Sequence, residues 1–538
     1  MSLKNRKLSI SLLIFSILLL LLSISGVHAQ DEMVLRIGLE EPINLDPASG
    51  SNDPEVLLNR NIYDYLIELL PDGSFAPSLA ESWDISDDGL TYTLHLVQNA
   101  SFHDGKPFTS EDVVFTFNRL VEVGSTVVGV LGQKQDGTDA DGNPIMKPTW
   151  TVEAPDDYTV VFHLETPNAD FIYGLSHRFA TILPAGMEQP NKLAEDGSLA
   201  NFNGTGPFRL ESFSPGEGAT LVANDDYWAG RPKLDRIDLV FIDDSTAQVN
   251  ALLNNEVDFI FKIPNDLLPS LRGNDNITVT TVASNVHPVI RIRSDKGHLG
   301  EDVRVRQAFK HATDRELLNI DTLDGLGIVA NNDPIGPVYG PLYTPQEGLA
   351  YDPQLSCDLL AQVAADNPDN PWITMDGDTP RLEVEFHVAD AFEYPVLAEF
   401  MQQQWEEGCI YVTLSVEPSN VYYADGGWLD VELGLTGWGT RATPQEYLSV
   451  AYTTDAIWNE SHWSNPKLDE LAAQAAQTSN IEERAKIYDE ISKIFVEDGP
   501  IIIPFFRPVS SAYNNKVQGL VLHSFPGRTS FYNVTIGN

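Results

Sequence analysis

Strand and helix patterns alternate along most of this chain, and this alternation limits its fold more than any other feature of the sequence. Residues 33–41 are mostly apolar, as in a buried strand, and residues 55–70 then place apolar side chains at helical spacing. The same succession returns at residues 236–242, which predict a strand, and at residues 245–254, which predict a helix. Alternation of this kind indicates α/β units built on mixed sheets.

The second half of the chain continues the alternation. Its apolar patterns predict strands over residues 257–260, 277–283, 289–292, 382–388, 410–416, 431–435 and 500–504. Helices are predicted over residues 303–320 and 394–406, after the cap Ser464-Asn465-Pro466, and over 482–496.

A hairpin-rich region lies in the first half. Residues 81–85 and 90–96 flank an Asp-Asp-Gly turn, and residues 158–164 repeat the strict alternation of apolar and polar side chains. Between them, Thr109 is placed to cap a helix. Residues 136–142 have the acidic, glycine-containing look of a calcium loop, but they lack ligands at its first and twelfth positions. They therefore predict a surface hairpin turn.

The first 29 residues predict a signal peptide. Three basic residues precede the apolar run 8–24, and Val27-His28-Ala29 supplies small residues for cleavage after Ala29. The run is slightly long for a signal, so retention as an N-terminal anchor stays open. The 538 residues are too many for one ordinary domain and predict two to four structural units.

The charge balance excludes polyanionic partners. Removing the signal takes away three of the 33 basic residues and none of the 78 acidic ones, which leaves 30 against 78, a net charge of −48. Such a surface repels nucleic acids and anionic membranes.

Two cysteines, Cys357 and Cys409, occur in this chain with a predicted export signal. An oxidising compartment favours a disulfide between them, and closing that loop would stabilise the fold by roughly 4 kcal/mol in the chain-entropy model. The alternative is two buried thiols.

One stretch, residues 433–441, attracts attention as a binding site. It predicts a strand that runs into Trp438, which stands between Gly437 and Gly439, and then into Thr440 and Arg441. The tryptophan offers a flat apolar face and the arginine a planar fork of donors. The alternative is a core tryptophan at a strand end and a solvated arginine.

No catalytic or metal-binding motif has convincing spacing. The chain lacks a G-x-S-x-G elbow, a P-loop and an H-E-x-x-H motif, and its 11 histidines are scattered. His103-Asp104-Gly105 suits a hairpin tip better than an acid–base pair. The sequence therefore predicts no enzyme, no cofactor and no metal.

Several segments, in order, resemble the family 5 extracellular solute-binding proteins of ABC importers, which bind oligopeptides, dipeptides or nickel. The segments that carry this resemblance cover nearly all of the chain after the signal: Leu79-Ala80-Glu81-Ser82-Trp83, residues 87–92 and 102–114, Gly204-Thr205-Gly206-Pro207-Phe208, residues 224–228, 302–316 and Tyr351-Asp352-Pro353.

The resemblance implies two α/β lobes joined by a hinge, with a third subdomain inserted in the first lobe. Its boundaries would place the first lobe at residues 30–74, 204–283 and 503–538, the inserted subdomain at 75–203, and the second lobe at 284–502. It also implies an exported, monomeric protein that captures a small solute between the lobes and delivers it to membrane permease subunits. A saccharide or anionic solute, an exported hydrolase on the same frame, and a sensor or chaperone-like binder are the alternatives.

The resemblance also suggests site residues. The loop after Trp438 is where peptide-binding members hold the ligand's amino group with an aspartate, and here the nearest position is Arg441. The loop after residues 382–388 is where dipeptide binders carry an arginine, and here it contains Asp390 and Phe392 instead. This puts a simple dipeptide ligand in doubt.

The fold implied by the resemblance places further residues near the expected binding cleft, and these are also candidates for ligand binding. We list as ligand-binding candidates Asp53, Arg60, His177, Arg178, Asp390, Phe392, Trp438, Gly439, Thr440 and Arg441.

Overall fold

The computed structural model describes residues 32–50, 52–138, 144–193, 199, 201–454 and 456–537. The predicted signal peptide and the tip of the 136–142 turn lie outside the described residues. The strands Gln133–Thr138 and Pro144–Pro148, on either side of that tip, pair antiparallel.

The described elements of the first half, in chain order, are β1 (Val34–Leu39), α1 (Asp53–Ile62), β2 (Ile67–Leu69), β3 (Phe75–Pro77), β4 (Ala80–Ile85), β5 (Thr91–Leu96), α2 (Ser110–Glu122), α3 (Val127–Leu131), β6 (Gln133–Thr138), β7 (Pro144–Pro148), β8 (Trp150–Asp156), β9 (Thr159–Leu164), α4 (Phe171–Leu175), β10 (Phe208–Ser214), β11 (Gly218–Ala223), β12 (Arg236–Phe241), α5 (Ser245–Leu253), β13 (Phe259–Phe261) and α6 (Leu268–Leu271).

Those of the second half are β14 (Ile277–Ile292), α7 (Val303–His311), α8 (Arg315–Leu323), β15 (Ile328–Val329), α9 (Pro353–Asp366), β16 (Ile373–Asp376), β17 (Thr379–Asp390), α10 (Tyr394–Glu407), β18 (Ile410–Pro418), α11 (Ser419–Tyr422), β19 (Leu433–Trp438), α12 (Pro444–Tyr447), α13 (Pro466–Gln477), α14 (Ile481–Glu497), β20 (Ile501–Ile502), β21 (Phe505–Asn514), β22 (Val517–Gln518) and β23 (Thr535–Ile536).

One large mixed sheet organises the molecule, with the strand order β10-β11-β12-β1-β13-β21-β14-β19-β17-β16. We call the side with β10–β13 the first lobe and the side with β16–β19 the second lobe. The long strand β14 belongs to both, since it pairs with β21 over residues 277–286 and with β19 over residues 287–292. The chain passes from the first lobe to the second in β14 and returns in β21, as a two-lobed α/β fold requires.

A separate four-stranded sheet, β4-β5-β9-β8, has its own aromatic core. Phe117 of α2 packs edge-on against Phe162 of β9 with ring centroids 5.0 Å apart. The four strands fall within the inserted subdomain expected at residues 75–203, but their core also takes in Ala48, Leu66 and Ile67, and we keep the residue boundaries as a prediction.

Three predictions were wrong in extent, and in the first two a tertiary or capping contact outweighs the local pattern. The helix predicted over residues 55–70 ends at Ile62, because the carbonyls of Tyr65 and Leu66 accept backbone hydrogen bonds from Leu79 and Ala80 at 3.1 and 2.9 Å. The helix predicted over residues 303–320 is two helices, and the Asp314 side chain caps the second through Leu317 N at 3.0 Å.

The third concerns two short strands, 277–283 and 289–292, which are one strand, β14, with an irregular register between Val282 and Val286. A bulge lets a strand bend without leaving the ladder.

A disulfide joins Cys357 of α9 to Cys409, just before β18, with the two Cα atoms 5.2 Å apart. In the part of the chain that the structure describes, no helix is both long and apolar enough to cross a bilayer.

Candidate functional site

A cavity of about 330 Å³ lies where six stretches distant in sequence meet. The stretches are the start of α1, the end of β2, the region of α3, α4 with the segment that follows it, the loop after β19 with α12, and Phe525 with the short 3₁₀ turn at Pro526–Arg528. The lining consists of Asp53, Val56, Leu69, Thr126, Val130, Tyr173, Ser176, His177, Arg178, Thr440, Arg441, Ala442, Glu446, Phe525 and Arg528.

The loop after β19 is fixed by a fully buried tyrosine. The hydroxyl oxygen of Tyr447 accepts a hydrogen bond from Arg441 N at 3.1 Å, and this hydroxyl donates to the carbonyl of Gly439 at 2.9 Å. The Thr440 hydroxyl accepts from Asn285 N at 3.0 Å, which ties the loop to β14. The backbone is therefore held while the Arg441 guanidinium reaches into the cavity lining, 5.0 Å from the Trp438 ring.

His177 and Arg178 supply another wall. Burial lowers the pKa of His177 well below its ordinary value, and the charge of Arg178 adds to this effect, so the imidazole is neutral at pH 7. Burial also lowers the pKa of Arg178, against the opposing influence of Asp53 and Glu446. The guanidinium of Arg178 remains charged and lies 5.0 Å from the ring of Phe179.

Two further charged groups of the lining have partners. Asp53 forms an ion pair with Lys262 at 3.1 Å and accepts a hydrogen bond from Gly527 N at 3.0 Å. Arg528 donates to the carbonyl of Ser176 at 2.6 Å and lies 3.5 Å from a carboxylate oxygen of Glu68.

Glu446 is the remaining carboxylate. Its pKa is raised by burial, although the backbone N–H of Ala442 donates to it at 3.1 Å. No lysine or arginine nitrogen among the described residues lies within 4.0 Å of it.

Thr443, which follows Ala442 in the loop after β19, connects the second lobe to the segment around α4. Thr443 donates its hydroxyl hydrogen bond to Asp170 at 2.7 Å, and Asp170 forms an ion pair with Arg484 of α14 at 2.5 Å. Arg484 also donates to the Tyr488 hydroxyl at 2.9 Å. All four side chains are buried. Burial opposes the charge of Arg484, but Asp170 holds its pKa above the ordinary value.

Five of the residues predicted from the sequence share the cavity: Asp53, His177, Arg178, Thr440 and Arg441. Trp438 and Gly439 do not line it. Trp438 is 6% exposed and packs against Tyr447 and Trp458, with ring centroids at 5.6 and 5.7 Å. Gly437 is required for close packing, because a Cβ there would overlap the Tyr394 hydroxyl.

The other three predicted residues lie elsewhere. Arg60 pairs with Glu68 at 2.9 Å and lines a neighbouring cavity of about 180 Å³. Asp390 is exposed at the end of β17. Phe392 is 78% exposed, and the Arg507 guanidinium lies 4.7 Å from its ring.

The sequence did not predict several lining residues, and those with polar side chains are Thr126, Tyr173, Ser176, Glu446 and Arg528. Glu446 follows Arg441 by five positions on a predicted loop, so its proximity to Arg441 in the sequence could have identified it as a lining residue. Nothing local in the sequence marks Arg528, since it enters the cavity only because the C-terminal segment returns to the first lobe. Among the described residues, no three His, Cys, Asp or Glu side chains are arranged to hold a metal ion.

Comparisons with known proteins agree with this architecture. The sequence profile of the bacterial extracellular solute-binding proteins, family 5 middle region, matches residues 74–460. The chain is 27% identical to heme-binding protein A of Haemophilus influenzae over 508 residues, covering 89% of this chain and 87% of that protein. It is 25% identical to the dipeptide-binding protein of Escherichia coli, covering 88% and 89%. The solved structure of HbpA2 from Haemophilus parasuis has a TM-score of 0.79 at 24% identity, covering 94% of this chain and 100% of that one.

Proposed function

The chain belongs to the bacterial extracellular solute-binding proteins of family 5, and from this premise we propose that its solute binds in the 330 Å³ cavity. Membership makes the protein the extracytoplasmic solute-binding component of an ABC import system. The observation that supports this site is that five residues predicted from three distant segments of the sequence line one cavity. Such a concave, partly apolar space with a few charged groups is typical of small-molecule sites.

We propose a peptide-like solute of small size. A relative that binds dipeptides supports this class, and the cavity volume lies near the lower end of the range for ligand sites. The mixed lining of guanidinium, carboxylate and aromatic groups suits a solute with both polar ends and apolar side chains.

Capture requires no covalent step in this proposal. Both lobes and the inserted region contribute to the lining, so a solute that contacts all of them favours the closed arrangement by its extra affinity for that state. The closed protein, acting as a monomer outside the cytoplasm after export by residues 1–29, then delivers the solute to membrane permease subunits. Incubating a bound peptide with the protein should return it unchanged, and a hydrolysed product would contradict this part.

The site is tested by filling it. The Ala442→Trp variant places an indole in the cavity, and Ala473→Trp places one on an exposed position of α13 as a control. In thermal unfolding with pools of dipeptides and tripeptides, wild type and Ala473→Trp should both be stabilised, and Ala442→Trp should not respond. Equal stabilisation of all three proteins would reject the cavity as the site.

A further inference from the structure

The cavity reverses the charge balance of the molecule around it. The whole chain has 78 acidic and 33 basic residues, but the lining has three arginines and two carboxylates. Its one histidine, His177, is neutral. A positive site within so acidic a protein is a specific local feature, because average composition would have made the lining negative.

The positive charge of the lining is clearer once the ion pairs of its residues are taken into account. Asp53 is compensated by Lys262, and Arg528 lies near Glu68, so two of the five charged lining residues already have partners. Arg178, Arg441 and Glu446 remain. No carboxylate oxygen among the described residues lies within 4.0 Å of either arginine, which leaves two positive charges and one negative charge for a solute to meet.

The two arginines are positioned without being neutralised. Each guanidinium lies 5.0 Å from an aromatic ring, Arg178 over Phe179 and Arg441 over Trp438. Cation–π contacts orient a guanidinium and leave its N–H donors free at the edges. The planar fork of an arginine matches a carboxylate in a bidentate pair.

We propose that the cavity selects a small solute with a net negative charge, whose carboxylate is held between Arg178 and Arg441. This inference rests on the proposed function and adds the charge of the solute to it. A neutral solute would leave one guanidinium uncompensated when the site is covered, and an uncompensated charge removed from water is costly. Glu446 opposes the anion, but its single charge is outnumbered.

Three pools of dipeptides, each with an uncharged first residue and with Glu, Gln or Lys as the second residue, test the proposal directly. The pools carry net charges of −1, 0 and +1, and the Glu and Gln pools have nearly the same shape. Binding to protein freed of retained solute by unfolding and refolding is measured by native mass spectrometry in competition and by calorimetry. The Glu pool should bind about tenfold more tightly than the Gln pool, and the Lys pool least tightly.

Two variants locate the preference. Arg178→Gln and Arg441→Gln should each reduce the advantage of the Glu pool, and the double variant should bind the Glu and Gln pools alike. Arg381→Gln, at an exposed position of β17, is the control and should keep the wild-type order. The wild-type ranking needs no variant, so it stands even if one fails to fold.

The outcomes separate the two proposals. Equal binding of the three pools, or tighter binding of the Lys pool, would overturn the charge preference and leave peptide capture intact. A preference for the Glu pool that survives in the double variant would overturn the roles of the two arginines. Binding of no pool would overturn both proposals.

Discussion

Arg484 and Arg178 both lie in the region where the second lobe meets the segment around α4, but their surroundings differ. Arg484 is 2% exposed and has the carboxylate of Asp170 at 2.5 Å. Arg178 lines the cavity, and among the described residues no carboxylate oxygen lies within 4.0 Å of it. Arg441, which lines the same cavity from another segment of the chain, resembles Arg178 in this respect.

The difference distinguishes a charge that stabilises the fold through a protein partner from a charge that is available to a ligand. A buried ion requires compensation, and the chain supplies it at Arg484. At Arg178 and Arg441 the chain supplies aromatic rings and an open volume instead. Charges without protein partners in a cavity are a local inconsistency of the fold, and such inconsistencies concentrate where function is located.

The largest expected effect is at the paired arginine. Arg484→Leu should lower the free energy of unfolding by about 3–5 kcal/mol, because it leaves the Asp170 carboxylate buried without its cation. Urea denaturation measures this loss. Arg381→Leu removes an exposed partner of Glu383 and should leave the free energy of unfolding nearly unchanged, because solvent screens this pair. A loss at Arg484 no larger than that of this control would contradict the structural role assigned to the pair of Arg484 and Asp170.

A buried carboxylate without a cation extends the comparison to pH. Burial raises the pKa of Asp333 from 3.8 to about 7. The folded protein therefore holds this proton more tightly than the unfolded chain, and the free energy of unfolding falls as pH rises through this range. The loss attributable to Asp333 should be roughly 2 kcal/mol between pH 5 and pH 7.

Asp333→Asn isolates that contribution. Urea denaturation at a series of pH values should show the difference between variant and wild type shifting by that amount in favour of the variant as pH rises. Asp376→Asn, at an exposed position, should follow the wild type. A pH-independent difference for Asp333→Asn would contradict the assignment.

The unpaired arginines should contribute little to the stability of the solute-free protein. Arg178→Gln should change the free energy of unfolding by less than about 1 kcal/mol, because no buried partner is left behind. The same holds for Arg441→Gln, whose backbone bonds to Tyr447 and Tyr339 are retained. A loss of 3 kcal/mol or more, as predicted for Arg484, would show that these arginines are structural.

The smallest effect is that of salt. Screening relieves repulsion among the many surface carboxylates, so raising NaCl from about 0.05 to 0.5 M should raise the Tm by roughly 2 °C. The same increase in salt should weaken binding of the Glu-containing pool several-fold, because it screens the attraction between the positive cavity and the negatively charged peptides. If added salt changed stability and binding in the same direction, the predicted difference in charge between the surface and the cavity would be contradicted.

Much of the fold could be predicted because its signals are local. The hairpin of β4 and β5 follows from a turn sequence and strict alternation, and α14 follows from apolar spacing. The end of α1 could not be predicted this way, since it depends on backbone hydrogen bonds to residues 79 and 80.

The candidate site shows the same limit. Position along the chain led to Arg178 and Arg441, but it led equally to Trp438, which is in the core, and to Phe392, which is on the surface. A strand end fixes where a loop begins and not where its side chains point. The decisive arrangement, in which Arg528 joins residues 177 and 178, exists only after the C-terminal segment has folded back.

The most direct measurement is a crystal structure of the protein with a bound dipeptide from the Glu pool. We expect density inside the cavity, with a carboxylate about 3 Å from the guanidinium groups of both Arg178 and Arg441. A dipeptide bound outside the cavity, or one that turns its amino group toward Arg441, would contradict it.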